Sequence, residues 1–118
     1  MNSDDLPFTM AMILEQCGGS SSTAVMVLEE FLNQVPTDVG AMETCLASGD
    51  LLTASKAAHR LKGTAGVLGA VRLHPLCAEM ELTCKSGDAA KAVETFDQLK
   101  AEAQACVDAV PRGMELLK

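Results

Sequence analysis

AHRLKGTAGVLGA, residues 58–70, admits two readings, and the choice between them decides the fold. The glycines Gly63, Gly66 and Gly69 could form a phosphate-cradling loop, or they could belong to a helix that carries His59. A dinucleotide fingerprint needs G-x-G-x-x-G between a strand and a helix, whereas the spacing here is G-x-x-G-x-x-G. A Walker loop fails as well, because Lys62 precedes the glycines instead of following them. The helical reading has positive support. Leu51, Ala54, Ala58, Leu61, Ala65 and Leu68 recur at three- and four-residue steps, a narrow apolar stripe with small residues where a second helix can approach closely.

On such a helix His59 points roughly 130° away from the stripe at 100° per residue, which puts its ring in solvent. Leu52, Lys56, Gly63 and Gly66 fall on that same outer side, with Lys62 at its margin. Gly63 and Gly66 each cost about 1 kcal/mol relative to Ala in a helix interior. A frayed last turn capped by Gly69 accounts for Gly69 and partly for Gly66. Gly63, one turn beyond His59 and followed by continuing periodicity, is better explained by clearance: a missing side chain lets another molecule reach the imidazole.

Working outward, "SGD" occurs twice, at Ser48–Asp50 and Ser86–Asp88, each reading as a helix end followed by an Asp N-cap. A short helix is expected from about Leu6 to Cys17, then a break at GGSSS whose serines can cap the next element. From Ser22 to about Ser48 the apolar series Val25, Leu28, Leu32, Val35, Val39, Met42 and Leu46 predicts a long helix that Pro36 should kink or split. A further helix is expected over about Ala70 to Lys85, burying Leu73, Cys77, Met80 and Cys84, with Pro75 tolerable near its start. The last, Ala89 to about Val110, buries Ala92, Phe96, Leu99, Ala103, Cys106 and Val110, and Pro111 with Gly113 ends or bends it. No strand-like alternation competes. The expected fold is all-α, an antiparallel four-helix bundle with a short extra N-terminal helix.

Composition agrees. A chain of 118 residues is about one domain long, so 1–118 is expected to be a single unit. Its apolar content comes from Ala, Leu, Val and Met, and its three aromatic residues are all Phe. The apolar run MAMIL is too short to span a bilayer, and MNSDDL carries acids where a signal peptide carries bases, so a cytoplasmic protein with no membrane partner is expected. The five cysteines lack a C-x-x-C pair and fall on apolar helical positions, which favours buried free thiols over disulfides or zinc. Neither His59 nor His74 sits in a metal-binding pattern, and no metal is expected.

The net charge is −7, yet no Lys or Arg precedes Lys56 and no Asp or Glu lies between Leu51 and Ala78. That acid-free stretch holds Lys56, Arg60, Lys62 and Arg72 around His59. Four bases without interleaved aromatics on an acidic chain argue against nucleic acid. An acidic protein surface or a phosphoryl group is the better match.

With AHRLKGTAGVLGA, Leu73 and CAEME in hand, the sequence resembles the histidine-containing phosphotransfer (HPt) family of multistep two-component signalling. Its pattern runs roughly A-H-x-L-K-G-[ST]-[AS]-x-x-x-G-A, then L, then C-x-x-[LM]-E, and the flanking helices agree over essentially the whole chain. The resemblance implies a phosphoacceptor at His59, a base at Lys62 that contacts the phosphoryl group, and clearance at Gly63. It also matches Glu81 to the neighbouring-helix residue that accepts a hydrogen bond from the histidine ring; a carboxylate there would hold Nδ1–H and leave Nε2 as nucleophile.

Imidazole suits this task, being nucleophilic when neutral and forming a phosphoramidate reactive enough to hand the group on. The implied partners are response-regulator receiver domains and a hybrid sensor histidine kinase. Nothing in the sequence resembles an ATP site, and no cofactor of its own is expected, since Mg²⁺ and in-line geometry would come from the receiver. Leu52, Lys56, Arg60, Gly63 and Gly66 are the expected docking residues of a monomeric phosphocarrier that is not an enzyme. A helical interaction module that regulates a kinase or receiver without carrying phosphate is the alternative. A kinase-linked domain of the chemotaxis type would normally belong to a longer chain. A free-standing shuttle and a piece of a hybrid kinase both stay open. His74 lacks Lys or Gly at matching offsets and reads as a surface or helix-start residue.

Overall fold

The computed structural model describes residues 6–118, and they form five helices: α1 (Met10–Gln16), α2 (Ser21–Ser48), α3 (Leu51–Leu68), α4 (Leu73–Lys85) and α5 (Ala89–Glu115). Connections of two to four residues between α2, α3, α4 and α5 force successive helices to run antiparallel. Each packs on the next, and α5 returns to α2, closing a four-helix bundle with α1 laid across α2 and α3. The long axis of 44 Å is close to the rise of about 42 Å expected for a 28-residue helix such as α2.

Local chemistry sets the helix starts. Ser20, Asp50 and Asp88 each accept a hydrogen bond from the backbone N–H three residues on, at 3.2, 3.1 and 3.0 Å, satisfying donors the first turn leaves free. α3 ends at Gly69, whose φ of 64° is left-handed and so favours a residue without Cβ. The core is built from Leu28, Phe31, Val35 and Met42 of α2, Leu61 and Leu68 of α3, Leu73 and Met80 of α4, and Leu99 and Val110 of α5. All five cysteines are free, and burial pushes the Cys77 and Cys106 thiols up to about 12, so they behave as small apolar side chains.

Five sequence expectations need correction. α1 begins at Met10 instead of Leu6. Pro7 supplies no donor, and residues 6–8 pack against the bundle as a non-helical strap with Leu6 and Phe8 buried. α2 runs unbroken through Pro36, which lies with Leu32, the residue whose carbonyl it deprives of a partner, on the exposed side of the helix. Its buried stripe is also rotated, comprising Ala24, Leu28, Phe31, Val35, Asp38 and Met42, while Leu32 is exposed and Val25 half-buried. Phe31 takes the inner position because its ring meets Phe8 edge to face, with centroids 6.4 Å apart.

α4 begins at Leu73, after a turn at Val71 and Arg72, which leaves Pro75 in the first turn where a missing N–H costs nothing. α5 continues through Pro111 and Gly113 to Glu115. Gly113 is needed by the strap, since a Cβ there would lie 3.1 Å from Phe8 Cε1 and 3.2 Å from Met10 Sδ.

Candidate functional site

Ala54, Ala57, Ala58, Leu61 and Ala65 all face inward on α3, and the small size of the four alanines lets α2 and α4 approach it from either side. The opposite side of α3 carries His59, whose side chain is 66% exposed. Its Nδ1 lies 3.0 Å from Oε2 of Glu81 on α4. Glu81 is buried, and it accepts two further hydrogen bonds, from Lys62 Nζ to Oε1 at 2.8 Å and from Lys85 Nζ to Oε2 at 3.0 Å. The Lys62 ammonium, and after it Lys85, hold the Glu81 carboxyl down at about 2 against the upward push of burial.

An ionised carboxylate only accepts, so in the neutral imidazole the proton sits on Nδ1 and the Nε2 lone pair is free. The cluster therefore offers a nucleophilic nitrogen to solvent on a ring held by its other nitrogen. Two ammonium groups stand beside it, each with donors to spare.

The structure brings His59, Lys62 and Glu81 into this one bonded cluster. Leu52, 65% exposed, and Lys56, Gly63 and Gly66 lie along the same outer side of α3. A Cβ on Gly63 would meet no atom within 4 Å, and one on Gly66 would make only ordinary contact with His74 Cδ2 at 3.7 Å. Both glycines sit inside an intact helix, so neither marks a frayed end; nothing in the bundle itself crowds them. Arg60 is not part of the cluster. Its Nε donates to Oδ1 of Asp38 on α2 at 3.1 Å, drawing it to the other side of α3.

Two residues escaped the sequence reading. Lys85 stands four residues after Glu81, a spacing that makes helical ion pairs and could have been noticed. Asp38 sits in the apolar stripe of α2 between Val35 and Met42, where polar residues were not sought.

The histidine-containing phosphotransfer protein B (HptB) of Pseudomonas aeruginosa PAO1 superposes with a TM-score of 0.84 at 18% identity, over 92% of this chain and 94% of that one. The HPT domain of an Hpt sensor hybrid histidine kinase from Shewanella gives 0.80 at 22% identity, over 93% of this chain and 95% of that one. At these identities the likeness shows the shared helical architecture. No curated protein sequence matches the chain. The model of the Hpt domain family matches residues 26–109, a span that holds every member of the His59 cluster, and the chain belongs to the Hpt domain family.

Proposed function

We propose that this chain is a phosphorelay intermediate that accepts a phosphoryl group on Nε2 of His59 from the aspartyl phosphate of one receiver domain and passes it to another. Membership of the Hpt family supports a histidine phosphotransfer role in phosphorelays, and the proposal adds to it the direction of transfer and the donor. The observation that carries it is an imidazole 66% exposed whose other nitrogen is tied to a buried, anionic Glu81.

In the forward step the Nε2 lone pair attacks phosphorus, the N–P bond forms, and the bond from phosphorus to the aspartyl oxygen breaks with its electrons, leaving a receiver carboxylate. Nδ1 keeps its proton on Glu81 throughout, and Glu81 offsets the charge that develops on the ring. Lys62 and Lys85 use spare N–H groups to balance the phosphoryl oxygens. The divalent metal and the in-line alignment belong to the receiver. Gly63 and Gly66 leave room for that partner, and Leu52 and Lys56 contact it.

The test is to incubate the chain with phosphorylated receivers of the source organism and follow label. Transfer of an acid-labile, base-stable label, abolished by His59→Gln, is the expected result. Binding of receivers without any label would instead make the chain a non-phosphorylated interaction module.

A further inference from the structure

Asp38 is fully buried on the inner stripe of α2, between Val35 and Met42. A carboxylate taken out of water there is expensive, and apolar residues of similar volume often serve stability as well or better. Its hydrogen bonds are specific. Oδ2 accepts from Gln34 Nε2 at 2.9 Å, and Oδ1 accepts from Arg60 Nε at 3.1 Å. Among the described residues, Asp38 is the hydrogen-bond partner of the Arg60 guanidinium.

The choice of nitrogen matters. Nε carries the bond to Asp38, which leaves the Nη groups of a side chain that is 54% exposed without a hydrogen bond to that carboxylate. Arg60 also forms one wall of a groove of about 690 Å³ between α2 and α3, whose other walls include Met26, Phe31 and Val67. Apolar walls of this kind strengthen a charged contact made beside them. The position next to His59 in sequence leans the opposite way: Glu81 on α4 draws His59 and Lys62, while Asp38 on α2 draws Arg60. Arg60 is therefore turned from the phosphoryl position and toward whatever lies over the α2–α3 seam.

We infer that Arg60 is a specificity residue that grips a carboxylate on the docking surface of the partner receiver, and that Asp38 is its positioning residue. This rests on the reading of His59 as phosphoacceptor. A planar guanidinium whose Nε is already bonded still has two Nη groups to offer, and their fork matches a carboxylate bidentately, which an ammonium cannot do. Fixing the fork in advance removes much of the ordering cost that a free surface arginine carries into a complex. Among the described residues that line the groove Arg60 is the one cation, and Glu30 is the one acid, so a carboxylate that enters the groove is directed to Arg60.

The experiment titrates the full chain with the receiver domain that binds it tightest in a panel, then measures phosphotransfer kinetics with the same receiver. Arg60→Lys and Arg60→Gln should each weaken binding and raise KM by about tenfold, the loss expected for a bidentate charge-assisted contact, with the rate at saturating receiver changed less than about twofold. Asp38→Asn should act similarly, and Asp38→Asn with Arg60→Lys should be no worse than Arg60→Lys alone, because Asp38 works through Arg60.

Binding by Arg60→Lys within twofold of the parent overturns the inference. So does additivity in the double variant, or a loss confined to the saturating rate. Circular dichroism checks the fold; if Asp38→Asn does not fold, Asp38→Leu replaces it, and the Arg60 variants at a half-exposed site carry the test by themselves. Labelling of the parent chain by phosphoramidate, a donor that needs no docking surface, reads the acceptor role separately. Failure there would sink the phosphoacceptor reading while leaving the titration to decide on Arg60.

Discussion

His59 and Lys85 are bound to the same carboxylate oxygen, Oε2 of Glu81, each at 3.0 Å. The lysine ammonium therefore stands no more than about 6 Å from the ring nitrogen, the two bonds laid end to end. Lys62 occupies the other oxygen at 2.8 Å, so one buried carboxylate serves three donors from two helices. Lys62→Met and Lys85→Met should each let the Glu81 carboxyl titrate nearer its ordinary range, Lys62→Met by more, because Lys62 is the larger cause of the depression. Carboxyl carbon shifts followed by NMR across an acid titration would check the order.

The same depression sets a pH dependence. Glu81 is held at about 2 in the folded chain against an ordinary value of 4.5, so its contribution to stability is fully present above pH 4.5 and fades as pH falls toward 2. The difference in melting temperature between the parent and Glu81→Gln should be constant near neutrality and shrink across that acid window. Thermal melts at pH 7, 5, 4 and 3 would measure it, and a difference that stays flat would contradict the ion cluster.

Gly63→Ala should separate stability from function. The added methyl meets no atom within 4 Å and improves helix propensity, so stability should rise by up to about 1 kcal/mol. Phosphotransfer should slow, since the methyl stands one turn from His59 in the path of the partner, and Gly63→Gln should slow it further. A thermal melt paired with transfer kinetics gives both numbers.

Lys62→Met should reduce the transfer rate by about tenfold, the order expected for losing one hydrogen bond from a charged group to the phosphoryl oxygens. Stopped reactions with a labelled receiver would read the rate. Circular dichroism should show an unchanged helical content, because Lys62 lies at the edge of the bundle.

Phe8→Ala should cost about 3–5 kcal/mol, the range for emptying a buried aromatic site. Phe8 is 2% exposed, meets Phe31 edge to face, and fills the space that Gly113 leaves. Urea denaturation would measure the loss.

Much of this architecture was legible because it is written locally. Asp50, Gly69, Asp88 and the serines before α2 announce helix ends through chemistry confined to one turn. The cluster of His59, Lys62 and Glu81 followed from a motif and a resemblance together. What escaped was decided by distant contacts. Pro36 and Pro111 read as breaks, yet packing along α2 and the strap against Gly113 carry both helices past them. Apolar periodicity favoured Leu32 over Phe31 because the ring that draws Phe31 inward, Phe8, lies in a non-helical segment with no periodic signature. Asp38 was invisible for a related reason: only the fold reveals that a guanidinium 22 residues on meets it.

The backbone N–H and hydroxyl of Thr9 donate to the carbonyls of Leu68 and Gly69, and the Gln16 amide donates to that of Val67. Gly63 and Gly66 leave two interior positions of α3 without side chains, which makes its final turns poor in intrinsic helical strength. Thr9 and Gln16 act as a splint on that weakened shaft, so the steadiness of the helix that carries His59 is underwritten from outside it.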